Sequence, residues 1–289
     1  MTDPTKPFSI NVFFPSGLRT GIKQAGTPNW VGKCTFFPRS SLKQVKESRE
    51  LDQPGVYILT GTESASTLPI AYIGEGDPIA GRILSHESNK DWWDNCIAVT
   101  CNNNGLSKAH IKFIESALYE SALSESRCTL DNKLKPGKPN LSPVDKSFAQ
   151  DFLDFTLLCM QPLGLDIFPR TAHRGNPVST EGGKLYLKSK GLIAEAYDSS
   201  DGFIVIKGSH SSTAESEGLD SVDRARRADL IKLGVLVKKG KRFIFTKDYR
   251  FTSPTLAARA ILGAPAPGPL RWKNNSGITL RAIRDSLTG

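Results

Sequence analysis

The chain has no run approaching the ~20 consecutive apolar residues that a membrane-spanning helix needs. Its first residues, Met1-Thr2-Asp3-Pro4, show neither the charged nor the apolar region of a secretion signal. A membrane protein is excluded on that pattern, and a cytoplasmic one is expected. Cysteine is sparse as well. Cys34, Cys96, Cys101, Cys128 and Cys159 form no Cys-x-x-Cys pair, their number is odd, and only four histidines are present to join them. Reduced, mostly buried thiols are expected, and neither a disulfide scaffold nor a zinc finger is. Internal repeats and long low-complexity segments are missing too.

Positive charge is abundant, and it is unevenly placed. The net charge is +9 over 289 residues, yet residues 1–180 are close to neutral, while residues 221–289 carry 15 basic against 4 acidic side chains. Clustered Lys and Arg gain free energy by displacing counterions from phosphates, so a polyanionic partner is expected for the C-terminal part. The alternative is a solvated surface that serves solubility.

A length of 289 residues suits two domains of ~150 residues each. The Pro/Gly/Ser-rich run from Pro169 to Gly183 coincides with the shift in charge. The division expected is an N-terminal extension packed on the core (1–50), a central domain (51–175) and a basic C-terminal domain (176–289). The fold class is α+β: a small antiparallel sheet flanked by helices, then a second α+β domain with a basic hairpin. In the latter, Leu185–Leu187, Leu192–Tyr197 and Phe203–Ile206 read as strands and Ser221–Leu233 as a helix. Val235–Val237 and Phe243–Phe245 flank Lys238-Lys239-Gly240-Lys241-Arg242 as a hairpin. With Arg224, Arg226 and Arg227 at the start of the helix before it, this resembles a winged arrangement, in which a helix faces a groove and a ribbon touches the backbone; the alternative is a solubilising surface in which Asp223 and Asp229 pair with some of the arginines.

The central segment carries the chemistry. Gly55–Leu59 and Pro69–Gly74 read as two strands of a hairpin, and Asp77-Pro78 as the cap and first position of a helix bearing Arg82 and His86 one turn apart. Ile97–Val99 suits a third strand, and Ser107–Ala122 an amphipathic helix whose stripe is Ile111, Ile114, Leu118 and Ala122. Glu115 lies at the edge of that stripe, partly desolvated, so it must be paired or bound to a cation. Spacing leaves open an ion pair to Lys108 or Arg82 and a metal site. Tyr57, Tyr72 and His86 taken singly fit packed or surface roles.

Taken in order, Gly55-Val56-Tyr57, Tyr72-Ile73-Gly74, Arg82, His86 and Glu115 resemble the GIY-YIG nuclease family. Asn132, in Leu130-Asp131-Asn132-Lys133, is similar to an asparagine found downstream in several members. Asn29–Lys33, Asp91-Trp92-Trp93, Leu106–His110, Arg227–Ile231, Ser253–Ala258 and Trp272 with Gly277–Leu280 look like a bacterial subgroup whose chains close with an accessory domain of unknown function. The resemblance implies a metal-dependent endonuclease. Tyr57, Tyr72, Arg82, His86, Glu115 and Asn132 would then be catalytic, with Glu115 holding Mg²⁺ or Mn²⁺. Tyr57 is the expected base, provided a metal-bound water or a cationic neighbour lowers its pKa from ~10. Glu75, directly after the second tripeptide, departs from members with lysine or a small polar residue there. Nucleic acid, double-stranded DNA in particular, is the expected partner, touched by Lys108, Arg224, Arg226, Arg227, Lys238, Lys239, Lys241 and Arg242. One chain cutting one strand and a homodimer cutting two both remain open. The competing reading is a nucleic-acid-binding or sensing protein that keeps the scaffold without useful turnover.

Overall fold

The apolar alternation around Tyr57 is realised inside a seven-stranded sheet. The computed structural model describes residues 8–63, 66–102, 105–169, 183–199 and 202–287. Its contacts divide the chain into two units, Met1–Ser64 with Leu68–Arg174, and Ala65–Thr67 with Gly175–Gly289. Residues 170–182 of the loop expected between Pro169 and Gly183 lie outside the described residues.

The first unit runs β1 (Asn11–Phe13), β2 (Lys23–Gly26), β3 (Gly32–Pro38), α1 (Leu42–Glu47), β4 (Gly55–Thr62), β5 (Pro69–Gly76), α2 (Ile79–Asn89), β6 (Trp93–Cys101), α3 (Lys108–Glu125), β7 (Thr129–Leu130) and α4 (Pro143–Met160). The sheet order is β1-β2-β3-β6-β4-β5-β7, antiparallel throughout except for the β5–β7 pair. Residues 11–38 therefore do not form an extension packed on the core. They are part of the sheet, because β3 pairs with β6 from Gly32↔Cys101 to Pro38↔Asn95. That pairing gives the buried Cys34 and Phe37 a place in the core that a surface extension would not.

Both faces of this sheet are buried, so β4 reads as a continuous apolar run. Val56 and Ile58, with Ile73 and Val99, pack against Ile111, Ile114 and Leu118 of α3 and Phe152 and Leu157 of α4. Tyr57 and Leu59, with Phe37 and Trp93, pack against Leu42 and Val45 of α1 and Ile79 and Ile83 of α2. α3 starts where expected: the Ser107 hydroxyl accepts the His110 amide at 3.2 Å. The His110 Nδ1 in turn accepts the Ser107 N–H, and the ring reaches Asp145 of α4 through its other nitrogen.

α2 starts differently from the expectation. Pro78 occupies the cap position, with no side-chain capping bond. The first free amides, of Ile79 and Ala80, instead donate to the carbonyls of Gln53 and Leu51 at 3.1 and 3.0 Å, so the segment entering β4 takes the place of a cap. At the other end, the Arg39 guanidinium binds the carbonyls of Glu87, Lys90 and Asp91 and stacks 4.9 Å from the Trp93 ring.

The second unit contains β8 (Leu185–Ser189), β9 (Leu192–Ser199), β10 (Gly202–Val205), β11 (His210–Ser212), α5 (Ser221–Lys232), β12 (Leu236–Lys239), β13 (Arg242–Phe245), β14 (Tyr249–Phe251), α6 (Pro254–Leu262), α7 (Gly268–Arg271) and α8 (Leu280–Leu287). It holds a four-stranded sheet, β14-β10-β9-β8, and a three-stranded one, β11-β13-β12. Leu187, Ala196, Phe203, Leu230, Phe245, Ile261 and Trp272 share its core. β12 and β13 pair up to Lys239↔Arg242, which leaves a two-residue loop whose Gly240 takes φ of 61°. The fold class is α+β.

Candidate active site

β4 and β5 lie side by side, with Tyr57 opposite Gly74 and Leu59 opposite Tyr72. The glycine is required there. A Cβ built on Gly74 would stand 2.5 Å from the Tyr57 hydroxyl oxygen and 2.8 Å from the Tyr72 ring, so only glycine leaves room for both tyrosines. Gly76 plays the same part for α2, since its Cβ would meet the Ile79 Cα at 2.9 Å. The two tripeptides thus serve to bring two aromatic rings and a helix against one stretch of backbone.

On this face Tyr57 is fully buried, and its hydroxyl lies 2.9 Å from His86 Nε2. The Tyr72 and His86 ring centroids are 4.6 Å apart. Burial, then the Lys90 and Arg82 charges, pull the His86 pKa down to about 4, with Asp131 opposing. Burial foremost, then Tyr72, pushes the Tyr57 hydroxyl above its ordinary value, against the opposing charge of Arg82. Of the two groups expected to lower the Tyr57 pKa, the cationic neighbour is outweighed by desolvation.

An open cleft of about 450 Å³ is lined by Glu75, Asp77, Pro78, Arg82 and Lys108 among others; of the expected site residues, Arg82 and Lys108 line it and Tyr57, Tyr72, His86 and Glu115 do not. Lys108 forms an ion pair with Glu75 at 2.5 Å. The expected alternative partner, Glu115, makes no ion pair or hydrogen bond among the described residues. Glu115 is half-buried, and burial, followed by Glu75, raises its pKa to about 7 despite Lys108, Arg82 and Lys112. The departure at Glu75 therefore has two consequences: it neutralises a rim cation and destabilises the charge on Glu115.

No group of three or more His, Cys, Asp or Glu side chains among the described residues is arranged to hold a metal ion. A closed protein cage does not fit. The half-buried Glu115 carboxylate could supply one hard-oxygen ligand to a hydrated divalent cation.

Asn132 is not brought to the cleft chemistry. Its amide oxygen accepts the Ile73 N–H at 3.1 Å and its NH₂ donates to the Ile73 carbonyl at 2.7 Å. The side chain thus imitates a peptide group and prolongs the short β7 along the open edge of β5. Both its hydrogen-bonding groups are engaged there, so Asn132 fastens the strand that bears Tyr72.

The arginines of α5 also depart from expectation. Arg227 is 1% exposed and donates to Glu215 at 2.9 Å, to the Ser212 carbonyl at 2.6 Å, and to the Ser211 hydroxyl and Ala260 carbonyl. Arg224 binds Glu215 and the carbonyls of Leu219 and Ser216. Arg226 pairs with the buried Asp223, which also receives Arg259 at 3.0 Å. Arg227 thus holds α5 to its surroundings instead of facing a partner, because a buried guanidinium must find acceptors, while Arg224 and Arg226 keep part of their side chains exposed beside their ion pairs. The hairpin is different. Lys238, Lys239, Lys241 and Arg242 are exposed. The three ammonium groups have no ion pair among the described residues, and Arg242 bonds to His210 at 2.9 Å.

Lys90 and Asp131 were missed in the sequence, although Arg82, His86 and Lys90 recur every four residues, the last just past the end of α2. All five cysteines are free and buried. No helix among the described residues is long and apolar enough to cross a membrane. Residues 185–284 are similar to the family described as a domain of unknown function, DUF4357. No curated protein matches the chain, and no solved structure matches it.

Proposed function

We propose that the first unit is a metal-dependent phosphodiesterase acting within nucleic acid, double-stranded DNA in particular, as the resemblance to GIY-YIG nucleases implies. The exposed hairpin of the second unit would hold the phosphate backbone. One observation carries the reading: a single guanidinium, Arg82, lies close enough to act electrostatically on Tyr57, His86 and Glu115 together. Phosphodiester hydrolysis needs that combination of a directed cation, a proton-transfer pair and a hard-oxygen anchor.

Arg82, exposed on α2, offers two parallel donors to the non-bridging oxygens of a phosphate, and their charge-assisted bonds strengthen as negative charge builds at phosphorus. Glu115 would hold Mg²⁺ or Mn²⁺, which when bound supplies Lewis-acid stabilisation of the leaving oxygen. Tyr57 stays protonated in the free protein, so it acts with His86. The Tyr57 oxygen takes the proton of the attacking water as its own proton passes to His86 Nε2, 2.9 Å away. A bound phosphate assists this transfer by neutralising Arg82, one of the charges that keep His86 weakly basic. Tyr72 orients the substrate beside the pair.

Incubating the purified chain with supercoiled plasmid in Mg²⁺, Mn²⁺ or EDTA tests the reading. Conversion to nicked or linear DNA with the metals and none with EDTA supports it. Retardation of DNA without cleavage under every condition favours the binding module.

A further inference from the structure

Lys90 follows the last residue of α2, one turn beyond His86, and its backbone is fixed at both ends: its N–H donates to the His86 carbonyl at 2.9 Å, and its carbonyl accepts from Arg39 at 3.1 Å. Its side chain is only 15% exposed and is ion-paired with Asp131. Asp131 is fixed in turn, its N–H donating to the Ala71 carbonyl of β5 at 2.8 Å. The Lys90 ammonium stands 4.7 Å from the centroid of the Tyr72 ring and 5.6 Å from that of Trp92. Tyr72 packs on His86 at 4.6 Å, and His86 meets the Tyr57 hydroxyl.

A cation over an aromatic face is worth about 0.5–1 kcal/mol when exposed and more when desolvated. Here it comes with an ion pair that prevents the lysine from leaving for water. We propose that Lys90, held by Asp131, is a positioning residue: through the Tyr72 ring it keeps His86 Nε2 against the Tyr57 hydroxyl. Its relevance to turnover rests on the nuclease reading above; its effect on the ring geometry does not. The groups facing His86 are Arg82 from α2, Lys90 just after it, Tyr57 from β4, Tyr72 from β5 and Asp131 after β7. The lysine and the aspartate act on the imidazole with opposite signs, so they can be told apart experimentally.

The test compares wild type, Lys90→Met, Lys90→Arg and Asp131→Asn in the full chain, each first checked for native circular dichroism. The readouts are the His86 imidazole titration by NMR and the plasmid cleavage rate at saturating DNA. Lys90→Met is expected to raise the His86 midpoint from about 4 by on the order of one pH unit, to shift the Tyr72 ring resonances, and to slow cleavage roughly 10-fold. Lys90→Arg restores both readouts, since it returns a cation to the ring. Asp131→Asn moves the midpoint downward. An unchanged titration and unchanged ring resonances in Lys90→Met overturn the proposal, as does an altered titration with full cleavage rate. A wild-type chain that cuts no nucleic acid, with the titration shifts still present, removes the nuclease reading and leaves the ring clamp standing.

Discussion

The Tyr57 hydroxyl and His86 Nε2 face each other at 2.9 Å across the β4–α2 interface. Neither group is charged at neutral pH, because burial raises the tyrosine's pKa and lowers the histidine's. A neutral donor beside a neutral acceptor is arranged for relaying a proton rather than for holding one.

Tyr57→Phe removes the hydroxyl while keeping the buried ring. The cleavage rate should fall by roughly 10²-fold or more, the usual scale for a lost acid–base group, with the melting temperature changed little. A rate within twofold of wild type would remove Tyr57 from the reaction. A larger loss for Tyr72→Phe would reverse the roles of the two tyrosines.

Glu115 governs the pH dependence. Its carboxyl titrates at about 7 in the folded chain against an ordinary 4.5, so Mn²⁺ affinity should rise about tenfold per pH unit below 7 and level off above it. Stability runs the other way. Between pH 4.5 and 7 the folded chain retains a proton that the unfolded chain has released, so stability falls as pH rises through this window. Glu115→Gln removes that penalty. It should unfold like wild type at pH 4 and be more stable at pH 8, by on the order of 1 kcal/mol, since the half-exposed carboxyl is screened by water. Calorimetry at the two pH values reads the difference.

Glu75→Gln frees Lys108 and removes the second largest cause of the Glu115 shift. Duplex binding should tighten, and the Glu115 midpoint should move down from about 7. NMR titration of the carboxyl carbon checks this, and a midpoint that stays in place contradicts it.

Neutralising Lys238, Lys239, Lys241 and Arg242 together should weaken binding to all duplex sequences and flatten its salt dependence by up to ~4 in slope, about 0.9 for each lost phosphate contact. Arg227→Ala should instead unfold the second unit more easily, by roughly 2–5 kcal/mol, because it leaves a cavity and orphans the Ser212 and Ala260 carbonyls, although Glu215 keeps Arg224. Thermal melts and salt titrations of the two variants separate a contact surface from a structural network.

Much of this was legible because it is local. The period of Ile111, Ile114, Leu118 and Ala122 located α3 and its buried face, and Lys238 to Arg242 announced the hairpin turn. Other features depend on partners far away in sequence. Nothing near Arg227 reveals that Ser212 and Ala260 supply carbonyls to it, so a basic run read as a surface contains one fully buried cation. The amides of Ile79 and Ala80 are satisfied from Leu51 and Gln53, which no cap rule reaches from Asp77-Pro78. Residues 11–38 carry short strands whose pairing with β6 is fixed only once the sheet forms. The direction of the Tyr57 shift follows from total burial, which a sequence does not state.

The most direct measurement is a side-by-side plasmid assay of wild type and Glu115→Ala in Mg²⁺, Mn²⁺ and EDTA. The account requires metal-dependent nicking or linearisation by wild type and none by the variant, with equal DNA binding by both, since the hairpin cations are untouched. Equal cleavage by the variant, or cleavage by wild type that persists in EDTA, would contradict it.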